Sequence, residues 1–517
     1  MRRNTFHNRE FNRAWILVSR VVLAVAILGL PWAAGAAELL AGTAKVDITD
    51  REAKPVNDPS YAKALVLKSG DTTAAIITVD AVAIGELGRI GNDFLADIRA
   101  QLQKDLGIPP ANVLVNASHC HSVVRKDAGL LAVQAVKEAW KNLEPVTSGA
   151  GRGHEDRIME NRRLKMKDGS EVDMRRAYAM PRDEDVVGVG PVDPEIGLLR
   201  LDRKDGKPLA VVYNFAVHPI QGIPGGGNTA DIPGFASKVI EENLGSGALA
   251  FFLQGCAGDV NPARYKDVAH PHDAEALGNL LGLSILRGWR TIQSRDGGML
   301  RVIQEVIALP RGTDLERRMA AIQAEQARLL ASLQGTNLNL KTFLPLFIQF
   351  KVSPDFPSYY SQRYLHEKTF GQEDLIKLDE ENRADLERYI RNIYTMEQLT
   401  RLQTNLQLLK MHQAHNAAAG GKTLDVEVAG ARIGDFVLVT FPGELSVEIG
   451  LGIKKRAPAP FTFVAGYTNG YIYYAPTTTQ RNNIGYAQED CDSLVAPEWQ
   501  RLFEESAERI LKKLSAP

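Results

Sequence analysis

The sequence predicts an α/β fold: a mixed, mostly parallel sheet core with flanking helices and an inserted helical subdomain. Three observations carry this. Short apolar runs such as Val113-Leu114-Val115 and Ala248 to Leu253 read as buried strands, and helix-periodic segments alternate with them. His119, His121, His218, Asp259, Glu444 and Tyr474 each lie just beyond the end of such a run, the edge where open α/β sheets bind ligands. Residues 313–419 carry few β-branched residues and become charged and helix-periodic.

The chain has 517 residues, 44% hydrophobic and 24% charged, which places it among globular proteins with room for one large domain or several smaller ones. A formal net charge of −1, with no basic patch interleaved with aromatics, gives no electrostatic case for nucleic acid. The N-terminus has the layout of a secretory signal. Arg2, Arg3, Arg9, Arg13 and Arg20 precede the apolar run Val21 to Trp32, and the small residues Ala33 to Ala37 follow. Export to the periplasm or beyond is expected, with residues 1–37 removed and the mature chain starting near Ala37 or Glu38. An uncleaved anchor starting near Trp15 is the alternative, which Arg20 interrupts. Three cysteines, Cys120, Cys256 and Cys491, are too few for a disulfide scaffold. Cys120 and Cys256 are read as buried thiols, with one disulfide as the alternative.

The core is expected to occupy 38–312 and 420–517. Gly42 to Thr49, Tyr61 to Leu67 and Ala74 to Asp80 read as strands, and Phe94 to Leu106 as a helix. Val113 to Val115 is a buried strand that delivers His119 and His121, and a helix over Leu130 to Leu143 follows. Residues 146–195 are less regular. Strands are expected at Gly197 to Leu201, Leu209 to Phe215 and Ala248 to Leu253, with helices at Pro233 to Leu244 and Ala274 to Ile292. Residues 313–419 read as a helical insertion, with long helices at Leu315 to Leu333 and Glu380 to Ala414. The apolar stretch Thr342 to Phe350 between them is read as part of an ordinary helical subdomain, as a lid, or as a lipid contact. Leu424 to Val428, a turn at Gly430, and Asp435 to Thr440 resume the sheet. Phe461 to Ala465 is its last strand, and helices at Ser446 to Lys454 and Pro497 to Leu514 pack around it.

The chemistry centres on Ser118-His119-Cys120-His121-Ser122. In extended backbone, residues two apart face the same side, so His119 and His121 are expected to share a pocket. Neutral imidazoles suit zinc, and a catalytic zinc takes about three protein ligands plus an open position. Two hydrogen-bonded loop histidines are the alternative. Likewise Asp259 after its strand is read either as a site group or as a helix cap, and Tyr474 as a site group or as packing.

Five segments together resemble the catalytic domain of the neutral, non-lysosomal ceramidases: Ser118 to Ser122, Asn214-Phe215-Ala216-Val217-His218, Gly258-Asp259-Val260-Asn261-Pro262, Phe441-Pro442-Gly443-Glu444 and Asn469 to Tyr474. They occur in the family's order and span nearly all of the core outside 313–419. The resemblance implies a zinc-dependent amidohydrolase that splits ceramide into a sphingoid base and a fatty acid. It puts His119, His218, Glu444 and Tyr474 on the metal and makes His121 a proton-transferring or supporting histidine. It matches a catalytic arginine to Arg162, with Arg163 as competitor, and a further tyrosine to Tyr486. Asp231 falls in a loop where the family has Ser-Asp-Asn. The sequence departs from the family at Asn261, where the family has a serine. Asparagine can donate to an oxyanion but cannot form an acyl-enzyme. The family also continues into an Ig-like C-terminal domain, whereas this sequence stops soon after the core.

The expected reaction is metal-assisted hydrolysis of an N-acyl amide in a lipid-like substrate. His121 accepts the proton of the attacking water and passes it to the leaving amine. Zinc, with Tyr486 or Arg162, steadies the oxyanion. The alternatives are a hydrolase of the same fold acting on another amide or ester, and a non-catalytic metal-containing binding protein.

Overall fold

The computed structural model describes residues 38–174, 181–265, 267, 269, 271–353, 361–483 and 487–516. The main strands of the first sheet are β1 Leu39–Asp47, β2 Tyr61–Ser69, β3 Thr72–Val79, β4 Val113–Ala117, β5 Glu144–His154, β6 Glu195–Arg203, β7 Pro208–Phe215 and β8 Leu249–Gln254. They lie in the order β8-β7-β6-β5-β1-β2-β3-β4. A second sheet has the order β9-β10-β11-β12, with β9 Leu300–Pro310, β10 Thr423–Ile433, β11 Phe436–Thr440 and β12 Thr462–Ala465.

The two sheets pack face to face. Leu114, Leu199, Val212, Phe251, Leu438 and Phe463 meet in one apolar layer between them. Alternate residues point the other way, onto helices. Val113 and Val115 join Ile98 of α1 (Phe94–Leu106) and Ala132 of α2 (Ala128–Lys141). Val211, Tyr213 and Phe252 join α3 (Asp231–Leu244) and α4 (Ala274–Thr291). Val437, Val439 and Val464 join α9 (Val447–Arg456) and α10 (Trp499–Ser515). The result is four layers: helices, sheet, sheet, helices.

The α/β class and the mixed sheet are as expected, but the balance of strand directions is not. Five of the seven pairings in the first sheet are antiparallel, and β3/β4 and β7/β8 are parallel. In the second sheet only β11/β12 is parallel. The reason is burial. A sheet covered on both faces needs apolar residues at successive positions whatever its direction, so its strands read like those of a parallel sheet. The three parallel pairs nevertheless matter most, because their C-terminal ends carry the site.

The turn expected at Gly430 is also displaced. Gly430 lies inside β10, paired with Ile303 and Val439, and a Cβ there would lie 2.3 Å from Ile510 Cγ2. The turn falls at Gly434, where φ is +60°. Gly430 is therefore glycine to let α10 close on the sheet.

Strands β9 and β10 pair from Leu300↔Ile433 to Pro310↔Thr423. All of 311–422 is thus a connection between two neighbouring antiparallel strands. Its described helices are α5 (Leu315–Ala331), α6 (Leu340–Val352), α7 (Ser361–Thr369) and the 46-residue α8 (Asp374–Ala419). Helix α5 runs antiparallel along α8, with Leu315, Ile322 and Leu329 packed on Leu402, Leu406 and Leu409. None of the described helices is long and apolar enough to cross a membrane.

Edge strands β4 and β8 are joined to each other. The buried Asn116 side chain accepts from Gln254 N (3.0 Å) and donates to Gly466 O and Thr468 Oγ1 (both 2.8 Å). Ala117 N bonds Tyr467 O, Asn469 N bonds Val115 O, and Gly466 N bonds Gln254 O. The loop after β12 is thereby fitted between the two edges of the first sheet. That stitch brings the ends of β4, β8, β11 and β12 to one place.

Candidate functional site

Four segments converge there. After β4 the chain leaves extended geometry, and His119 has φ +66°. His119 N bonds Ala81 O (2.9 Å), and its Nδ1 bonds Val82 O (2.6 Å). After β7, His218 N bonds Val260 O (3.0 Å), and its Nδ1 bonds Ala257 O (2.5 Å). Both imidazoles therefore carry their proton on Nδ1 and present an Nε2 lone pair. After β11, Glu444 N bonds Tyr473 O (3.0 Å). A Cβ on Gly258 would lie 2.6 Å from the Glu444 carbonyl oxygen, so only glycine lets the loop after β8 come this close.

Glu444 Oε2 lies 3.2 Å from His218 Nε2 and 3.6 Å from His119 Nε2. All three side chains are buried, and their ligand atoms lie within 4.8 Å of one another. The set fits zinc. Tetrahedral bonds of about 2.1 Å put donor atoms about 3.4 Å apart, and the carboxylate's 3.2 and 3.6 Å to the two imidazoles lie on either side of that value. The charge states fit as well. Burial lowers the His119 pKa to about 4 and lowers that of His218 too. Burial alone would raise the Glu444 carboxyl, but His119, His218 and the Tyr471 hydroxyl outweigh it and hold it well below the usual range. Two neutral imidazoles and a carboxylate are the state a divalent cation needs.

The carboxylate is itself held. Tyr467 Oη donates to Oε2 (3.0 Å) and Tyr471 Oη donates to Oε1. Of this tyrosine-rich tract the sequence singles out only Tyr474. The backbone shows why the tract is special. Tyr467, Asn469 and Tyr473 have φ of +51°, +61° and +64°, a strained region for non-glycine residues that persists where the surroundings enforce it. With zinc present, Tyr471→Phe is expected to weaken metal retention about tenfold while leaving the fold intact. Competition against a chelating dye measures this, and unchanged retention would show that the hydroxyl does not orient the ligand.

Tyr474 pairs through its backbone with Glu444 and stacks near His218, ring centroids 6.5 Å apart. Its hydroxyl accepts from Arg162 Nη2 (3.1 Å), and burial raises its pKa. Arg162 is also buried. Its Nε bonds Glu489 Oε1 (2.5 Å), Nη2 bonds Gly258 O (2.6 Å) and Nη1 bonds Asn261 Oδ1 (3.3 Å). The competitor Arg163 points elsewhere, into a nest of Glu171, Glu489 and Asp490. Asn261 turns its oxygen to Arg162, which leaves its Nδ2 as the donor group. Glu489 has no signal in the sequence: it lies in the four-residue helix Gln488–Cys491, three positions after Tyr486 but outside the five matched segments.

His121 does face the same pocket, with its ring centroid 5.4 Å from that of His119 in an edge-on arrangement. Strand alternation is not the cause, since β4 ends at Ala117. The left-handed turn at His119 buries that histidine and leaves His121 exposed at the rim. Although one side of the ring meets solvent, the groups packed round the other side, then His119, lower the His121 pKa to about 4, so it is a neutral acceptor at ordinary pH.

Two other residues, Asp259 and Asp231, serve the backbone around them, the first as the cap that was its alternative reading. Asp259 Oδ1 accepts from Val447 N (2.8 Å) at the start of α9, so it acts as a helix cap. Asp231 accepts from the backbone N–H groups of Gln221, Gly222 and Ile232 and closes its own loop. Cys120, Cys256 and Cys491 are free, buried thiols. Tyr486 and the N-terminal segment 1–37 lie outside the described residues.

No protein-family model matches the chain, and no curated protein matches its sequence. Solved structures do match. A neutral ceramidase from Pseudomonas aeruginosa superimposes with a TM-score of 0.58 at 16% identity, covering 93% of this chain and 76% of that one. A structure described as ceramidase complexed with C2 gives a TM-score of 0.58 at 14% identity over the same shares. The chain therefore has the fold of these ceramidases.

Proposed function

We propose, from a fold shared with neutral ceramidase and a buried His-His-Glu cluster at its strand ends, that this chain is a zinc-dependent hydrolase of N-acyl amides. Ceramide is the substrate class, and sphingoid base and fatty acid are the products. The observation that carries the reading is the spacing of His119, His218 and Glu444, which suits one divalent cation. Tyr474 is the proposed fourth group at the metal. Bound there, zinc supplies Lewis acidity, polarising a carbonyl and lowering the pKa of a water toward about 7.

The chain's own residues supply the rest. Exposed at the rim, His121 is the base that takes a proton from the attacking water and then hands it to the departing amine. The charged Arg162, fixed by Glu489 and Gly258, aims its remaining field at the oxygen on which negative charge develops. Asn261 adds a neutral donor beside it, and its amide provides no nucleophile, so direct attack by water is the route. Tyr486 is the proposed further hydroxyl. The same reading assigns 38–312 and 420–517 to the catalytic unit and 313–419 to an insertion. It also makes the protein an exported one, with its signal removed near Ala36-Ala37.

The test is turnover of a fluorescent ceramide by the purified mature chain, alone, with chelator, and with zinc restored. Hydrolysis lost with chelator and recovered with zinc is expected. Stoichiometric zinc with no turnover on any N-acyl amide or ester would overturn the reading in favour of a metal-containing binding protein.

A further inference from the structure

Helix α6 turns its aromatic side inward and its aliphatic side out. Phe343 is buried and stacks on Tyr389 of α8, ring centroids 4.4 Å apart. Arg383 of α8 lies over Phe350, 4.7 Å from its centroid. The other side carries Leu340, Leu344, Ile348 and Val352, which are 66, 50, 52 and 77% exposed. These residues are four apart and so form one row along the helix. Leu365 of α7 and Phe370 just beyond it are exposed as well, by 62 and 65%. Scattered exposed leucines need no explanation, but a contiguous row marks an interaction surface.

The charges indicate what covers it. Helix α6 contains Lys341 and Lys351 and no acidic residue. An aliphatic row flanked by lysines suits the interface of a bilayer with anionic headgroups. A capping box at Asn339 and Thr342 fixes the start of the helix, so the row is already formed before any contact. Helix α8 then connects this surface to the site. His412 and His415 pack on Tyr473, ring centroids 4.7 and 5.7 Å away. Between Tyr389 and His412 the helix covers about 35 Å.

We propose that α6 is a membrane-docking helix, which rests Leu340, Leu344, Ile348 and Val352 in the interfacial layer of an anionic bilayer. This rests on the lipid-hydrolase reading for preferring a bilayer to a second copy of the chain. Docking at α6 holds the enzyme at the surface that contains its substrate, while α8 sets the distance of the site from that surface.

The experiment is flotation of the full mature protein with vesicles of phosphatidylcholine alone and of phosphatidylcholine with phosphatidylglycerol. Wild type should float with the anionic vesicles, and less so at high salt. Leu344→Glu/Ile348→Glu should reduce flotation at least about tenfold, and Lys341→Gln/Lys351→Gln should remove the preference for anionic lipid. Both variants should keep the wild-type melting temperature and wild-type hydrolysis of a short-chain, water-soluble N-acyl substrate. Flotation unchanged in the Glu variant, or absent in wild type, overturns the proposal. So does a wild-type dimer that the Glu variant converts to monomer without altering flotation, because the row would then face another copy. If no form hydrolyses any substrate yet flotation follows the expected pattern, the hydrolase reading fails and the docking surface stands.

Discussion

Replacing both His119 and His218 by alanine should bring zinc content from about one per chain to near zero and lower turnover of an N-acyl substrate by at least about 10³-fold. About three protein donors hold a catalytic zinc, so losing both imidazoles leaves only the Glu444 carboxylate and the proposed Tyr474 hydroxyl. Glu444 would remain buried, still bonded by Tyr467 and Tyr471 but without an imidazole or cation beside it. A buried carboxylate in that position either protonates or destabilises its surroundings. A modest fall in melting temperature is therefore expected together with the loss of metal. Elemental analysis of the purified variant decides the matter, and zinc retained at one per chain would rule out this ligand set. Conversely, a zinc-free variant with normal turnover would separate the metal from the reaction.

Arg162→Met is expected to act in two ways that a second substitution separates. Arg162 shares the buried Glu489 with Arg163, so its loss leaves that carboxylate one partner and costs less than the roughly 3 kcal/mol of a fully unpaired buried charge. It also removes the positive charge nearest Tyr474 and Asn261, a loss worth about 10²–10³-fold in kcat if it stabilises the oxyanion. Without Arg162, Arg163 has to balance Glu489, Asp490 and Glu171 by itself, and adding Glu489→Gln removes one carboxylate from that cluster. Thermal unfolding of the double variant should recover much of the lost stability, whereas kcat should stay low with KM little changed. Recovery of both together would show that Arg162 acts only through the fold. Recovery of neither would show that the guanidinium's bonds to Gly258 and Tyr474 hold the loop itself.

Much of the site was legible because its residues follow apolar runs. His119, His218, Glu444 and Tyr474 were each readable as polar groups at strand ends, and the structure draws the first three to one point. The supporting groups were not legible. Tyr467 and Tyr471 reach Glu444 across a loop of left-handed residues, and Glu489 reaches Arg162 across 327 positions. No periodicity encodes such contacts. The Val82 and Ala257 carbonyls that fix the imidazole tautomers are backbone atoms, which the residue type does not announce.

The sequence by itself determined where most strands and helices lie, since burial imposes apolar residues with the period of each element. Helix α1 falls at Phe94–Leu106 as its spacing implies, and β4 begins at Val113. Strand direction and partner were decided only by the tertiary structure. With both faces of each sheet covered, antiparallel strands carry the same apolar run as parallel ones, so the pattern holds no record of orientation. The convergence of the site was decided at the same level, by Asn116 bonding the end of β8 and the loop after β12. Those are contacts between segments hundreds of residues apart, and only the closed fold brings them within reach.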